Sequence, residues 1–299
     1  MSRIDEYLEY VTKVRRYSPR TAEIYADVLS GYSAFCDAGE FGECACRPDV
    51  RSVRSFEMYL LDDRSESPST VSQHLSVLSG FCRFLIKKGD IESNPVRLVP
   101  KPKLKKRIPE FYREESMREY FESTKGAVEF GTYDAALRRI IISLLYATGI
   151  RRSELISLNR DSVDFKRGVI RVLGKGDKMR EVPVTATLSE ELGAFLGRSD
   201  CPVTEALLVT PSGVRLYPVF VDRAVKRELG GMADITSRKS PHVLRHTLAS
   251  ELLGDGADLN SIKELLGHSS LAATQIYTHS SVERLKKVYD AAHPRAAKK

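Results

Sequence analysis

The chain has 299 residues, 42% hydrophobic and 29% charged, with a formal net charge of +7. That length exceeds one small core and suits two domains, and the composition is that of a soluble globular protein, which excludes disordered and fibrous classes. The most apolar stretch, Ile140 to Ala147, is far shorter than the roughly 20 residues of a membrane span, and MSRIDEYLEY lacks the apolar core of a signal peptide, so a cytoplasmic protein with no membrane partner is expected.

Residues 1–90 predict helices only. A first helix is expected over about residues 3–16. Ser18-Pro19 is an N-cap followed by proline at the first helical position, and Ile24, Val28 and Phe35 then recur at helical spacing. A further helix is expected from about Val53 to Leu61. The next begins at Ser67-Pro68, aligns Val71, Leu75, Leu78 and Leu85 on one face and stops near Gly89, after which Asn94-Pro95 breaks the chain. This makes a four-helix unit. No internal repeat stands out. LVPKPKLKKRIPE (98–110) contains Pro100, Pro102 and Pro109 and reads as an extended basic linker.

From residue 111 the pattern is mixed. Tyr133 to Ala147 predicts a strongly apolar helix and Ser153 to Leu158 a short one. Val169 to Leu173 and Glu181 to Val184 read as strands of a hairpin whose connection, GKGDKMR, carries Lys175 and Lys178 near its tip. Beyond Pro218 helices return, one of them starting at Ser240-Pro241 and running to about residue 254.

Charge is unevenly placed. Residues 1–100 hold 13 basic and 15 acidic side chains, residues 101–110 hold 5 and 1, residues 111–280 hold 23 and 22, and residues 281–299 hold 6 and 2. The excess therefore lies in the linker and the tail, where it serves equally as a solubilising surface or as a footprint for a polyanion. The five cysteines, Cys36, Cys44, Cys46, Cys82 and Cys201, form no disulfide framework and no four-ligand zinc pattern, so free thiols and no metal are expected.

Single residues carry little. His242 and Arg245 share one face at the start of a helix, a natural phosphate site, yet the pair arises readily by chance. Arg151 follows a helix end and has Glu154 three residues on, which reads as a surface ion pair as well as an oriented donor. Gly267-His268 ends a helix, Ser269-Ser270 caps the next, and Tyr277 on it would ordinarily be a core residue. Taken together, however, ATGIRRSEL, LGKGDKMREVPV, HVLRHTLASELLGDGADL and LGHSSLAATQIYTH place Arg151, Lys175, His242, Arg245, His268 and Tyr277 in order. This set resembles the tyrosine recombinase (phage integrase) family over essentially the whole chain, YSPRT (17–21) included. Within it the chain looks most like the bacterial Xer site-specific recombinases, by its compact length, the expected lack of an arm-binding domain and the ending THSSVERLKKVYDAAHPRA.

The resemblance implies a mainly α fold with a small β-sheet, arranged as a two-domain clamp on DNA. Residues 1–97 would be a four-helix SAM-like core-binding domain, 98–110 the basic linker, and 111–299 an α+β catalytic domain with a protomer-linking helix at about 281–292. Lys101, Lys103, Lys105, Lys106, Arg107 and Lys178 are the residues expected to meet DNA. The transition state of phosphodiester cleavage concentrates charge on the non-bridging oxygens, and fixed donors lower its energy. Arg151 and Arg245 are the bidentate donors, for which the planar, permanently charged guanidinium is suited. Glu154 supports Arg151, and His242 and His268 add donors or move protons. A tyrosine hydroxyl with pKa near 10 is only about 0.1% ionised at pH 7, so nucleophilic Tyr277 needs such cations nearby. Family resemblance gives Lys175 the protonation of the leaving 5′-oxygen. It also implies no cofactor or metal, a homo- or heterotetramer on a duplex recombination site, a possible second Xer recombinase, activation by a septal DNA translocase, and resolution of chromosome or plasmid dimers. Rival readings are a mobile-element integrase, a type IB topoisomerase-like relaxase and an inactive DNA-binding accessory protein.

Overall fold

The computed structural model describes residues 2–39, 41, 45–103, 110–174, 178–236 and 239–267. It divides into two units, Met1–Arg107 and Ile108–Lys299. In the first, α1 (Arg3–Glu9) starts at a capping box in which Ser2 and Asp5 exchange bonds, satisfying orphan amides of the first turn. The expected 3–16 helix does not run evenly: Tyr10–Val14 widens into a π turn, closed by Arg15 N–H donating to the Tyr10 carbonyl. α2 (Pro19–Ala38) is capped by Ser18, α3 (Val50–Met58) by Asp49, and α4 (Pro68–Lys88) by Ser67. Gly89 closes α4 at φ 81, a left-handed position natural to glycine.

The repeat that sequence inspection did not find is visible here. Both α1 and α3 end in a π turn, at Tyr10–Val14 and Tyr59–Asp63. A non-glycine residue at positive φ follows each, Arg16 at 51 and Ser65 at 50. Each corner then enters its next helix through Ser-Pro-x-Thr, with Ser18 Oγ 2.8 Å from Thr21 Oγ1 and Ser67 Oγ 2.8 Å from Thr70 Oγ1. YVTKVRRYSPRT and YLLDDRSESPST share only five residues, because the corner is specified by the cap and the turn while the rest varies. Between these helices lies a core of Leu29, Tyr32, Phe56, Leu75, Leu78, Phe81 and Leu85, all buried. The expectation of free thiols fails at Cys36, which is disulfide-bonded and buried; Cys46, Cys82 and Cys201 are free.

The second unit is built around α6 (Tyr133–Thr148), whose residues from Ala136 to Thr148 are all buried. A helix apolar on every side belongs at the centre of a domain, and α6 is flanked by α8 (Ala186–Leu196), α9 (Pro218–Leu229) and α10 (Pro241–Gly254). Its two buried arginines are paired: Arg138 with Asp134 and Glu228, Arg139 with Glu191. The remaining helices are α5 (Glu114–Ser123), α7 (Arg152–Ser157) and α11 (Leu259–Leu266). The hairpin is present as β2 (Val169–Leu173) and β3 (Met179–Pro183), in register from Val169 opposite Pro183 to Leu173 opposite Met179. β3 begins two residues earlier than expected, and a two-residue strand β1 (Val163–Asp164) adds to β2 to give the antiparallel order β1-β2-β3. Two residues are too few to show alternation, so β1 has no sequence signal. The fold is mainly helical with a small sheet. No helix among the described residues is long and apolar enough to cross a membrane.

Candidate active site

Gly149 makes the site possible. It ends α6 at φ 61, and a Cβ there would come within 2.6 Å of Leu266 Cδ2 and 2.9 Å of Leu248 Cδ2. Only glycine accepts both the left-handed backbone and the approach of α10 and α11. The chain then turns through buried Ile150 to Arg151, the N-cap of α7.

Arg151 is anchored at three points. Its backbone N–H donates to Glu154 Oε2 at 2.7 Å, Nη1 to Glu154 Oε1 at 2.7 Å, and Nη2 to the Gly267 carbonyl at 2.8 Å. Glu154 is 3% exposed and also accepts from Arg180 Nη1 and Nη2, at 2.8 and 2.9 Å. Burial pushes this carboxyl up, but the hydrogen bonds and charges of Arg180 and Arg151 outweigh burial and hold it at about 2. It is therefore a carboxylate across the physiological range.

Arg245 comes from the first turns of α10 and is buried. Its Nη1 donates to the Gly149 carbonyl at 2.6 Å and its Nη2 to the Leu266 carbonyl. Burial, and then the Arg151 cation, lower its pKa to about 10, which leaves it charged at neutral pH. The two guanidinium groups thus grip consecutive carbonyls, Leu266 and Gly267, at the C-terminal end of α11. Each has five N–H donors and spends two on these anchors, Arg151 one on Glu154 and one on Gly267. His242 stands at the second position of α10, exposed. Partial burial first, then His246, Arg245, Arg152 and Arg151, hold its pKa below the ordinary histidine value, so it is chiefly neutral at pH 7.

The structure thus brings Arg151, Glu154, His242 and Arg245 into one region. Lys175, His268 and Tyr277 lie outside the described residues, as do Lys105, Lys106 and Arg107 and the expected helix at 281–292. Lys178 is exposed at the end of the hairpin, and Lys101 and Lys103 are exposed in the first unit. Arg180 was missed by sequence reasoning. Its signal is parity: Arg180 and Val182 alternate with Met179 and Glu181, so the arginine occupies a core-facing position of β3, and both Arg180 and Val182 are buried. A cation on that face demands a buried anion, and Glu154 is it.

The chain is similar to known proteins over its whole length. The profile of the Phage integrase family matches residues 119–284, and that of the phage integrase N-terminal SAM-like domain matches residues 4–89. The chain is 35% identical to a tyrosine recombinase XerC of Chlorobaculum parvum, over 98% of this chain and 94% of that protein. It is 36% identical to a tyrosine recombinase XerC of Bacillus subtilis, over 98% and 96%. Among solved structures, XerH site-specific recombinase bound to its difH substrate in a pre-cleavage complex is 25% identical, covers 94% of this chain and 82% of that one, and superposes with a TM-score of 0.67. On the whole-length identity and both matched domains, the chain belongs to the phage integrase family of tyrosine recombinases and is a site-specific DNA recombinase of Xer type.

Proposed function

We propose that this recombinase cuts and rejoins duplex DNA through a 3′-phosphotyrosyl link formed by Tyr277. One observation carries the reading: Arg151 and Arg245, 94 positions apart in the chain (245 minus 151), are fixed on adjacent carbonyls one and two residues before His268. Two permanently charged forks held side by side suit the non-bridging oxygens of one phosphate. Tyr277 Oη attacks phosphorus, the bond to the 5′-oxygen breaks, and Lys175 protonates the leaving oxygen. His242, chiefly neutral, and His268 donate hydrogen bonds or move the tyrosine proton. A 5′-hydroxyl from a partner duplex then attacks the phosphotyrosyl bond and releases Tyr277. The link conserves the phosphodiester energy, so the reaction needs neither nucleotide hydrolysis nor metal.

The whole-length match to proteins named XerC, and the XerH neighbour bound to its difH substrate, support a DNA recombination site as substrate; the task would be resolution of chromosome or plasmid dimers. Synapsis would use four protomers joined by the helix at 281–292, with a second Xer recombinase in the ring or a homotetramer, under a septal DNA translocase in the cytoplasm. Lys101, Lys103, Lys105, Lys106, Arg107 and Lys178 would meet the DNA backbone. The test is incubation with nicked candidate sites, a denaturing gel and mapping of the attached residue. An adduct at Tyr277 that disappears in Tyr277→Phe is expected; an adduct that persists in that variant overturns the assignment.

A further inference from the structure

Behind Arg151 sits a buried cation that the cleavage scheme does not use. We propose that Arg180 is a positioning residue for cleavage, holding Glu154 and the Gly267 backbone so that Arg151 presents its charge to the scissile phosphate. The proposal rests on the reading that this site cleaves DNA.

Three features carry it. First, Arg180 grips both oxygens of Glu154, at 2.8 and 2.9 Å, with side chains 5% and 3% exposed. A bidentate fork fixes the plane of the carboxylate as well as its position. The same carboxylate receives the Arg151 backbone N–H and Nη1, so its orientation helps set that of Arg151, whose side chain is 32% exposed and has the Gly267 carbonyl as its other anchor. Second, Arg180 packs close to the other Arg151 anchor. A Cβ added to Gly267 would fall 3.0, 3.1 and 3.2 Å from Arg180 Nε, Cζ and Cδ. Gly267 is the residue whose carbonyl accepts from Arg151 Nη2. Arg180 thus touches both groups that hold Arg151.

Third, the charges require it. Glu154 with Arg151 alone is a neutral pair, and an anion 2.7 Å from the guanidinium cancels much of the field meant for a phosphate. With Arg180 also on the carboxylate the trio carries a net single positive charge, and Glu154 orients Arg151 without neutralising the site. A buried ion pair is a poor device for stability alone, since well-packed apolar residues do as well. Orientation and charge balance account for its presence on a core-facing position.

The experiment measures the rate of covalent adduct formation by the full chain on a nicked duplex, and the Kd for the same uncleaved duplex, in wild type, Arg180→Met and Arg180→Lys. A second substrate carries a neutral methylphosphonate at the scissile position. Arg180→Met is expected to slow adduct formation on the phosphate about 10- to 100-fold with little change in Kd, the cost of misplacing a group by about 1 Å. Arg180→Lys, which keeps the charge but not the fork, is expected to fall between. On the methylphosphonate, which asks less of Arg151, the deficit is expected to shrink to about three-fold or less. A merely structural role slows both substrates by the same factor. Equal slowing on the two substrates, or wild-type rates in both variants, overturns the proposal. Should Arg180→Met fail to bind DNA, the same comparison made with Arg180→Lys decides: equal ratios overturn, a smaller deficit on the methylphosphonate supports. Absence of a Tyr277 adduct in wild type overturns the recombinase mechanism itself, and this proposal with it.

Discussion

Glu154→Gln tests the anchoring of the site most directly. The carboxylate is 3% exposed and accepts four hydrogen bonds, two from Arg180, one from the Arg151 backbone and one from Arg151 Nη1. An amide of the same shape offers one accepting oxygen and turns an NH2 toward donors, leaving two arginines without an anion. The drop from an ordinary 4.5 to about 2 sets the scale. At 1.36 kcal/mol per pH unit, the depressed pKa is worth about 3 kcal/mol. Removing one partner of a buried pair costs about 3–5 kcal/mol, which agrees. The folded pKa lies below the unfolded value, so this stability is fully present above pH 4.5 and is lost as pH falls toward 2. Denaturant unfolding followed by circular dichroism is the assay. Glu154→Gln should be about 3 kcal/mol less stable at pH 7, and the difference from wild type should close as pH falls from about 4.5 toward 2. A variant within about 0.5 kcal/mol of wild type at pH 7, the range of a neutral surface change, refutes the account.

Glu251 should behave in the opposite sense. Burial, above all, raises its pKa to about 8, and Oε2 has no partner among the described residues. Stability from the protonated form is fully present below about 4.5 and is lost as pH rises through about 8, so wild type should lose about 3 kcal/mol between roughly pH 5.5 and 8.5; Glu251→Gln, which still accepts from the Tyr146 hydroxyl, should not, as unfolding midpoints at the two pH values would show. Gly149→Ala should cost about 1–3 kcal/mol through its positive φ and its approach to Leu266 and Leu248, and should slow adduct formation more than it weakens DNA binding, because Arg245 donates to the Gly149 carbonyl and Arg151 follows two residues later. Neutralising Lys101, Lys103, Lys105, Lys106 and Arg107 together should weaken binding to all duplexes alike and flatten the slope of log Kd against log salt, by about 0.9 for each DNA phosphate that the linker no longer neutralises; an unchanged slope removes the linker from the interface.

Much of the architecture is local and was legible from residue patterns. Ser18-Pro19 and Ser67-Pro68 start α2 and α4 because a serine oxygen three residues before an amide needs nothing from the rest of the chain. α6 follows from an apolar run too dense for a surface helix, and β2 and β3 from alternation around a Gly-rich connection. Arg151, His242 and Arg245 were found because the family resemblance supplied their order, and the fold brings them into one region. Other features had no local signal. The π turns of both N-terminal corners need a fifth-residue hydrogen bond that no composition rule marks. β1 is too short to alternate.

The sequence by itself therefore determined the N-terminal helices, α6 and the hairpin, and put forward Arg151, His242 and Arg245, since caps, periodicity and motif order act over a few residues; α5, α8 and Arg180 it did not mark. Only the tertiary structure decided what each cation holds. Arg245 reaches a carbonyl 96 residues away, Arg151 one 116 residues away, and Arg180 a carboxylate 26 residues away. These pairings require burial to exclude water and backbone turns such as Gly149 and Gly267 to aim the carbonyls, and neither requirement is written in the spacing of the residues that meet.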